Sequence, residues 1–365
     1  MTRPRSTRRL ILTLALAMPA VAFADDFTAT PVVAPAEFLE PAEGSSGSLQ
    51  VDRTIEASAL EPIGDGRYVL VAHDKKVPLR LVEAATGRQA GALTSPRFPA
   101  ETPKSSKWEA MAADSDGAFY VVGSHSGKTE DERLQHRSLI RFRLETGVDA
   151  AASTVDDASF ASWRLDDGIV AALRGLGLPE AAVQKRKVEG LTIREGASAT
   201  PGRRELVVGL REPDDLVRAF VVDVTDAPAD GSSLTLAPLF AFEPGEREGV
   251  RRQLTSLEYV PAWRGFAIVT ATEDDANGFH GNTLWFASDE RIARAGGSTI
   301  EPELAWEFEP AMKAEGLCIL PGPASAAPGS VRFAIAFDND AHVTAAPGRL
   351  GIFDLVRRAS DSSAE

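Results

Sequence analysis

The chain has 365 residues, of which 44% are hydrophobic, enough to bury the core of one large domain. Its formal net charge is −14 at pH 7, and so acidic a surface repels nucleic acid and anionic membranes, so neither is expected as a partner. The single cysteine, Cys318, lies in an apolar run and has no partner for an internal disulfide. We expect it to be a buried thiol rather than a nucleophile.

The first 24 residues have the pattern of a signal peptide. Four arginines precede the apolar run Leu10–Met18, and Ala22-Phe23-Ala24 offers the small residues that signal peptidase recognises. The apolar run is shorter than the roughly 20 residues of a membrane helix, and no later stretch approaches that length. The sequence therefore predicts a mature chain that begins near Asp25 and is periplasmic or secreted. Loss of the four arginines would make its net charge more negative by four.

A five-residue phrase returns with variations along the chain. The three copies are Lys107-Trp108-Glu109-Ala110-Met111, Lys187-Val188-Glu189-Gly190-Leu191 and Lys313-Ala314-Glu315-Gly316-Leu317. Each copy is followed by a turn-rich gap and a second, strongly apolar run. Internal repetition of short strands is typical of a β-propeller, in which each repeat forms one blade.

Five units of short apolar runs follow one another in chain order. They span residues 58–82, 109–165, 189–242, 255–308 and 315–355. Most contain four runs, the strand count of a propeller blade. The predicted fold is therefore all-β, a propeller of five or six blades of four antiparallel strands over 58–356. A sixth, degenerate blade has room between 147 and 186 or before 58, and 357–365 is predicted to be a disordered tail.

The fifth unit lacks a fourth run, and the segment 25–57 offers candidates for it. Residues 36–40 or 48–52 could pair with the last blade and close the ring, which would remove open sheet edges. A short helical insertion is predicted between 147 and 186. There Asp167 is the predicted helix cap, and apolar residues follow it at helical spacing. They are Ile169, Val170, Leu173 and Leu176.

Ionisable side chains recur at one predicted end of the ring. The first strand of each blade lines the channel, and side chains two apart on a strand point the same way. Each lysine of the repeated phrase should therefore project beside its glutamate, and the second strands should end nearby. The candidate acid–base groups are Glu109, Glu189, Glu315 and His125; the candidate ligand contacts are Lys107, Lys187, Lys313, Arg211 and His73; the candidate metal ligands are Asp338 and Asp340.

Two interpretations of this charged ring remain open. The lysines and glutamates can neutralise one another as a structural ion-pair network. Alternatively, carboxylates suit a hard cation such as calcium, and lysine and arginine suit a phosphate beside it, so the mixture would fit a metal-assisted phosphoester site. Other catalytic patterns fail. In Gly123–Gly127, His125 stands where a nucleophile elbow requires serine, and the histidines are too dispersed to indicate a zinc site.

Several of these phrases resemble a known family. Glu109-Ala110-Met111 leading to Val122–Ser126, and Glu189-Gly190-Leu191 leading to Val208–Pro213, resemble a bacterial family of domains of unknown function, itself similar to esterase-like phytase propellers. The resemblance covers most of the mature chain and departs at Thr255-Ser256-Leu257, where Glu-Gly is absent. It implies a propeller and, more distantly, phosphoester hydrolysis.

Two functions follow as hypotheses. The first is a periplasmic propeller that binds or hydrolyses a phosphorylated or otherwise anionic small molecule at a charged channel mouth, with calcium as the candidate metal. In it Glu109, Glu189 and Glu315 handle metal or protons. The second is a non-catalytic propeller that serves as a scaffold for protein partners. The sequence leaves catalysis and oligomeric state open.

Overall fold

The computed structural model describes residues 27–37, 56–73, 79–93, 107–125, 129, 137–145, 154–194, 203–212, 214–227, 232–274, 278–308, 313–322, 329–338 and 348–357. These residues form five antiparallel sheets arranged as the blades of a β-propeller. The prediction of an all-β propeller is confirmed, with five blades in the described part of the chain. The predicted signal peptide lies outside the described residues, as does the predicted tail beyond Arg357.

The strands follow one another in chain order, four to most blades. The N-terminal strand is β1 (Phe27–Glu37). Blade 1 contains β2 (Ala57–Ile63), β3 (Tyr68–His73), β4 (Leu79–Glu83) and β5 (Arg88–Leu93). Blade 2 contains β6 (Trp108–Ala113), β7 (Ala118–Gly123), β8 (Ser138–Glu145) and β9 (Thr154–Arg164).

Blade 3 contains β10 (Lys187–Arg194), β11 (Glu205–Glu212), β12 (Val217–Asp223) and β13 (Ala237–Phe242). Blade 4 contains the short β14 (Glu246–Arg247), then β15 (Val250–Val260), β16 (Gly265–Glu273), β17 (Phe279–Ser288) and β18 (Glu303–Glu307). Blade 5 contains β19 (Ala314–Ile319), β20 (Ser330–Phe337) and β21 (Arg349–Arg357). The innermost strands β2, β6, β10, β15 and β19 pack side by side around the axis.

The fourth strand of blade 5 is β1, from the N-terminal side of the chain. It pairs antiparallel with β21, with Phe27 opposite Arg357. Phe27 anchors the strand, because its buried ring packs against Trp263 and Phe286 at centroid distances of 5.6 and 5.9 Å. The candidate segment 36–40 overlaps β1 only at its last two residues, and 48–52 lies outside the described residues. Pro31 and Pro35 argued against a strand in the sequence, because proline cannot donate a backbone hydrogen bond. They are tolerated here because β1 is an edge strand.

Three short α-helices interrupt the strands in the described part of the chain. They are α1 (Asp166–Gly175), α2 (Glu180–Val183) and α3 (Asp289–Ala295). The predicted helical insertion is α1, which buries Ile169 and Leu173 and leaves Leu176 exposed. Asp167 is not its cap. The N-cap position is Leu165, and the Asp167 carboxylate instead accepts a hydrogen bond of 2.7 Å from the Ser233 hydroxyl. In the described part of the chain, no helix is long and apolar enough to cross a membrane.

Candidate functional site

Each innermost strand carries a β-bulge at a corresponding position. The pairing register skips one residue in each of the five blades, namely Ser58, Glu109, Glu189, Thr255 and Glu315. A bulge leaves its extra residue unpaired and turns its side chain away from the regular alternation. Three of the five bulged residues are the glutamates of the repeated phrase. The bulge, rather than simple alternation, therefore presents these glutamates to the channel.

The glycine of the repeated phrase allows neighbouring blades to approach each other. A Cβ placed on Gly190 would lie 2.7 Å from Leu257 Cβ, and one on Gly316 would lie 2.6 Å from Leu60 Cδ2 and 3.1 Å from Ala59 Cα. Such distances are below normal carbon contact, and two of these atoms belong to or adjoin a backbone that has little freedom to move. Glycine is thus a packing requirement at these positions.

The last residue of the phrase closes the channel. One large apolar side chain from each blade meets the others on the axis, and all five are buried. They are Leu60, Met111, Leu191, Leu257 and Leu317. The space left beside them is about 10 Å³, and a water molecule needs about that much. This apolar plug separates two cavities, one at each end of the innermost strands.

The first cavity, which we call the charged mouth, lies where the innermost strands begin. Its volume is about 240 Å³, and eight of the sequence-predicted residues meet there: Lys107, Glu109, Lys187, Glu189, Arg211, Lys313, Glu315 and Asp338. Glu56, Ser58 and Glu273 complete the lining. These three are not among the candidate site residues of the sequence analysis. Glu273 could have been chosen from the sequence. It ends the second strand of blade 4, and the candidate Arg211 lies near the end of the second strand of blade 3.

His125 is not among the residues that line the charged mouth. Its side chain is fully buried, with Nδ1 3.6 Å from Asp166 Oδ1 at the start of α1. Burial lowers the pKa of His125, although Asp166 opposes the shift. Asp166 is held in turn by Arg186, whose Nε donates to it at 2.6 Å. Such an enclosed cluster is suited to fixing α1 against blade 2, so the structure does not place His125 beside the three glutamates.

Two further candidates have no described side-chain position. His73 ends β3 opposite Ala57, which brings its backbone to the same end of blade 1, but its side chain lies outside the described residues. Asp340 also lies outside them. The roles assigned to both residues stay predictions.

Arg211 is the centre of an ion-pair network in the charged mouth. Its Nε donates to Gln253 Oε1 at 2.7 Å, Nη2 to Glu273 Oε2 at 3.0 Å and Nη1 to Glu189 Oε1 at 3.4 Å. Burial alone would lower the pKa of Arg211, but the surrounding carboxylates outweigh it and raise the pKa. The planar fork is therefore already occupied by protein groups.

The two inner lysines also have carboxylate partners. Lys187 forms an ion pair with Glu189, and Lys313 lies 2.9 Å from Glu315 Oε1 and 3.4 Å from Glu273 Oε2. Burial raises the pKa of Glu189, but Lys187 and Arg211 outweigh it and hold the pKa below its ordinary value. Glu189 is thus an anion that these cations stabilise.

Lys107 and Glu109 differ from the rest of the mouth. Among the described residues, neither makes an ion pair within 4.0 Å. Burial, with repulsion from Glu189 and Glu315, raises the pKa of Glu109 to about 7, although Lys187 and Lys107 oppose the shift. Lys107 also has a φ of 52°, in the left-handed region that non-glycine residues seldom adopt. The mouth therefore holds a half-buried carboxyl group with a pKa of about 7. The lysine next to it has no ion-pair partner in the described part of the chain.

The described side chains do not form a ready metal site. Within the described residues, no group of three or more histidine, cysteine, aspartate or glutamate side chains is placed to hold a metal ion. Glu189 and Glu315 are instead paired with lysines, which repel a cation. Calcium at the charged mouth stays a prediction.

Comparisons with known proteins show no close relative. No family model and no curated protein matches the chain. Among solved structures, it is similar to Kuenenia stuttgartiensis hydrazine synthase, with 11% identity, a TM-score of 0.34 and coverage of 81% of this chain and 59% of that chain. It is also similar to the Dos1 propeller, with 10% identity, a TM-score of 0.35 and coverage of 84% and 60%.

A third similar structure is a GH43 β-1,3-galactosidase in complex with galactodeoxynojirimycin. Its identity is 8%, its TM-score is 0.47, and the match covers 88% of this chain and 94% of that chain. The present chain spans about three fifths of the length of the first two structures. With identities this low and TM-scores below 0.5, these proteins carry no argument about a ligand of this chain.

Proposed function

We propose that the protein is a propeller that binds a small phosphorylated or otherwise anionic molecule at the charged mouth. The observation that carries this proposal is the pair Lys107 and Glu109, which stays outside an otherwise closed ion-pair network. Lys107 has no carboxylate partner within 4.0 Å among the described residues, and the cavity wall also holds Lys187 and Lys313, so Lys107 is a cation available to a phosphate. The strained backbone of Lys107 supports a role beyond packing.

The charge balance of the mouth depends on Glu109 and Glu315. The lining contains four cationic side chains and six carboxyl groups, which would repel an anion if all six were ionised. Burial raises the pKa of Glu315 as well as that of Glu109, and both carboxyl groups become neutral as the pH falls. The cations then equal the remaining carboxylates in number, and each neutral carboxyl group gains a hydrogen to donate to a phosphate oxygen.

Anion binding is therefore coupled to proton uptake in this proposal. A ligand that prefers the protonated mouth binds more tightly as the pH falls through about 7, the pKa of Glu109. A carboxyl group with that pKa is also suited to general-acid catalysis at neutral pH. Hydrolysis of a phosphoester is the corresponding enzymatic hypothesis, and binding comes first in the test.

Calorimetric titration of the full chain with inorganic phosphate and with sulfate tests the proposal. Sulfate stays dianionic across neutral pH, so its affinity reports the protein's titration alone; it should be higher at about pH 6 than at about pH 8. Lys107→Ala should weaken both anions by roughly tenfold or more. Lys185→Ala, which removes an exposed lysine outside the mouth, is the matched control and should leave binding unchanged.

Absence of binding, or equal affinities for wild type and Lys107→Ala, would overturn the proposal. The charged mouth would then be a structural ion-pair network, and the scaffold for protein partners would become the better hypothesis. Assays with p-nitrophenyl phosphate, with and without calcium, test hydrolysis and the metal. N-terminal sequencing of the protein recovered from culture medium or periplasm tests the proposed export and cleavage near Asp25.

A further inference from the structure

The larger cavity lies at the opposite end of the channel, and we call it the far mouth. The innermost strands end there, and its volume is about 770 Å³, within the range of small-molecule sites. The apolar plug separates it from the charged mouth. Neither the repeated phrase nor the candidate residues of the sequence analysis reach it.

Two buried glutamates line this cavity. Glu61 near the end of β2 is 4% exposed, and Glu258 near the end of β15 is 9% exposed. Thr192 donates its hydroxyl hydrogen to Glu258 Oε2 at 3.3 Å, and the backbone N–H of Ala113 interacts with the Glu61 carboxyl group. In the described part of the structure, no lysine or arginine forms an ion pair with either glutamate.

The other charged groups near the far mouth are already paired. Asp114 Oδ2 lies 2.8 Å from Arg204 Nε, and Asp116 Oδ2 lies 2.7 Å from Arg204 Nη2 and 2.5 Å from Arg143 Nη2. These arginines are therefore committed to the two aspartates. Glu61 and Glu258 are left as a buried acidic pair that has no ion-pair partner among the residues the structure describes.

The pKa values of both glutamates are raised, as expected for buried carboxyl groups that lack a cationic partner. Burial, with repulsion from Glu258, raises the pKa of Glu61 well above its ordinary value, and burial raises the pKa of Glu258 to about 8. Burial and the two glutamates also raise the pKa of the Cys318 thiol on β19. A buried carboxyl pair of this kind stays partly protonated until a cation arrives.

The walls around the pair are largely apolar. They include Ile63, Phe119, Ile193, Tyr259 and Ile319. An aliphatic and aromatic wall removes an apolar ligand body from water, and an aromatic face attracts a cation. The cavity therefore offers two kinds of contact to one ligand, a pair of acids for a positive head and an apolar wall for its body.

We propose that the far mouth binds an organic ammonium ion, with the ammonium group between Glu61 and Glu258 and an apolar body against the surrounding wall. An ammonium supplies the positive charge that the protein withholds from this pair, and a small metal ion would leave most of the apolar cavity unfilled. The net charge of −14 favours approach of such a cation over an anion.

Binding at this site releases protons. The ammonium requires ionised carboxylates, so affinity rises as the pH increases toward about 8, by up to roughly tenfold per pH unit for each proton released. The other titratable or charged groups facing the pair are Cys318, Asp114, Asp116, Arg143 and Tyr259. The aspartates are neutralised by arginine, and burial with hydrogen bonding to Asp289 raises the pKa of Tyr259 to about 12. The glutamate pair therefore dominates the response.

Calorimetric titration of the full chain with phenethylamine, its neutral analogue phenethyl alcohol and calcium chloride tests the assignment. Phenethylamine should bind at least roughly tenfold more tightly than the alcohol, and its heat should vary with the ionisation enthalpy of the buffer, because protons are released. Glu258→Gln and Glu61→Gln keep side-chain shape and should each weaken the amine by roughly tenfold or more. Glu290→Gln on exposed α3 and Lys107→Ala at the charged mouth are controls that should leave amine binding unchanged.

Equal affinity for amine and alcohol would overturn the proposal by showing an apolar pocket alone. Unchanged amine binding in both glutamine variants, with native circular dichroism, would also overturn it. Tight calcium binding that excludes the amine would replace the ammonium site with a metal site. This outcome is independent of phosphate binding at the charged mouth, which uses different residues.

Discussion

The titration of Glu109 gives the sharpest test of the charged mouth. The substitution Glu109→Gln keeps the shape of the side chain and removes its ability to ionise. Glu109 makes no ion pair among the described residues, so the variant breaks no close charge contact. What changes is the free energy of ionising a carboxyl group that is half-buried beside Glu189 and Glu315.

The sign and size of the effect follow from the shift in pKa. Burial raises the pKa of Glu109 from 4.5 to about 7, so between these values the folded protein keeps a proton that the unfolded chain releases. The free energy of unfolding of wild type therefore falls as the pH rises through this window, by about 1.36 kcal/mol per unit, or about 3 kcal/mol in all. Glu109→Gln removes this loss. The variant should be about 3 kcal/mol more stable than wild type at about pH 8, and similar to it near pH 4.5.

Urea unfolding at several pH values, followed by tryptophan fluorescence, measures this difference. Glu145→Gln removes an exposed carboxyl group at the end of β8 and is the control; its stability should stay within about 0.5 kcal/mol of wild type at every pH. A difference between Glu109→Gln and wild type that does not change with pH would refute the reasoning. Lower stability of the variant at about pH 8 would show that Glu109 is ionised and well paired.

Three further predictions concern the joints between blades. Gly190→Ala places a methyl group 2.7 Å from Leu257 Cβ and should lower the free energy of unfolding by about 1–3 kcal/mol in urea titration, whereas Gly175→Ala at the end of α1, which meets no atom within 4 Å, should leave it unchanged or raise it by up to about 1 kcal/mol. Asn282→Ala removes the bonds of 3.0 Å that the Asn282 amide makes to both the N–H and the C=O of Ala314, and thermal and urea unfolding should show a loss of about 2–4 kcal/mol. Thr255→Val should lose less, about 1 kcal/mol, because the Ala314 carbonyl keeps its bond from Asn282; equal losses would contradict this account.

The blades were predictable because their strands are short, apolar and regularly repeated. The repeated phrase placed three glutamates on innermost strands, where the structure has them. Simple alternation along the strand does not explain their orientation, because a β-bulge at each glutamate points the side chain into the mouth. A bulge leaves no mark in a single sequence, because it depends on pairing between two strands.

The glutamates of the far mouth could not be identified from the sequence for a physical reason. Glu61 and Glu258 each follow directly on a leucine of the plug, and neither has a charged residue immediately beside it in the sequence. Their proximity arises only when the ring closes and brings β2 and β15 around one axis. His125 is the opposite case, because it was expected at the charged mouth and the structure has it elsewhere. It lies just after the second strand of blade 2, in a position similar to that of Arg211 in blade 3. Helix α1, which follows β9, covers it and supplies Asp166.

The pairing of β1 with β21 has a consequence for how the ring forms and opens. These strands lie near opposite ends of the described chain, so blade 5 depends on the contact of greatest separation in the sequence. Closing so long a loop carries a large entropy penalty, and contacts of this kind form late in folding. Blades 1 to 4 are built from neighbouring strands and can assemble before it. The pairing of β1 with β21, from Phe27 to Arg357, should therefore open first under mild denaturant. Amide hydrogen exchange should be faster in these two strands than in the strands of blades 1 to 4.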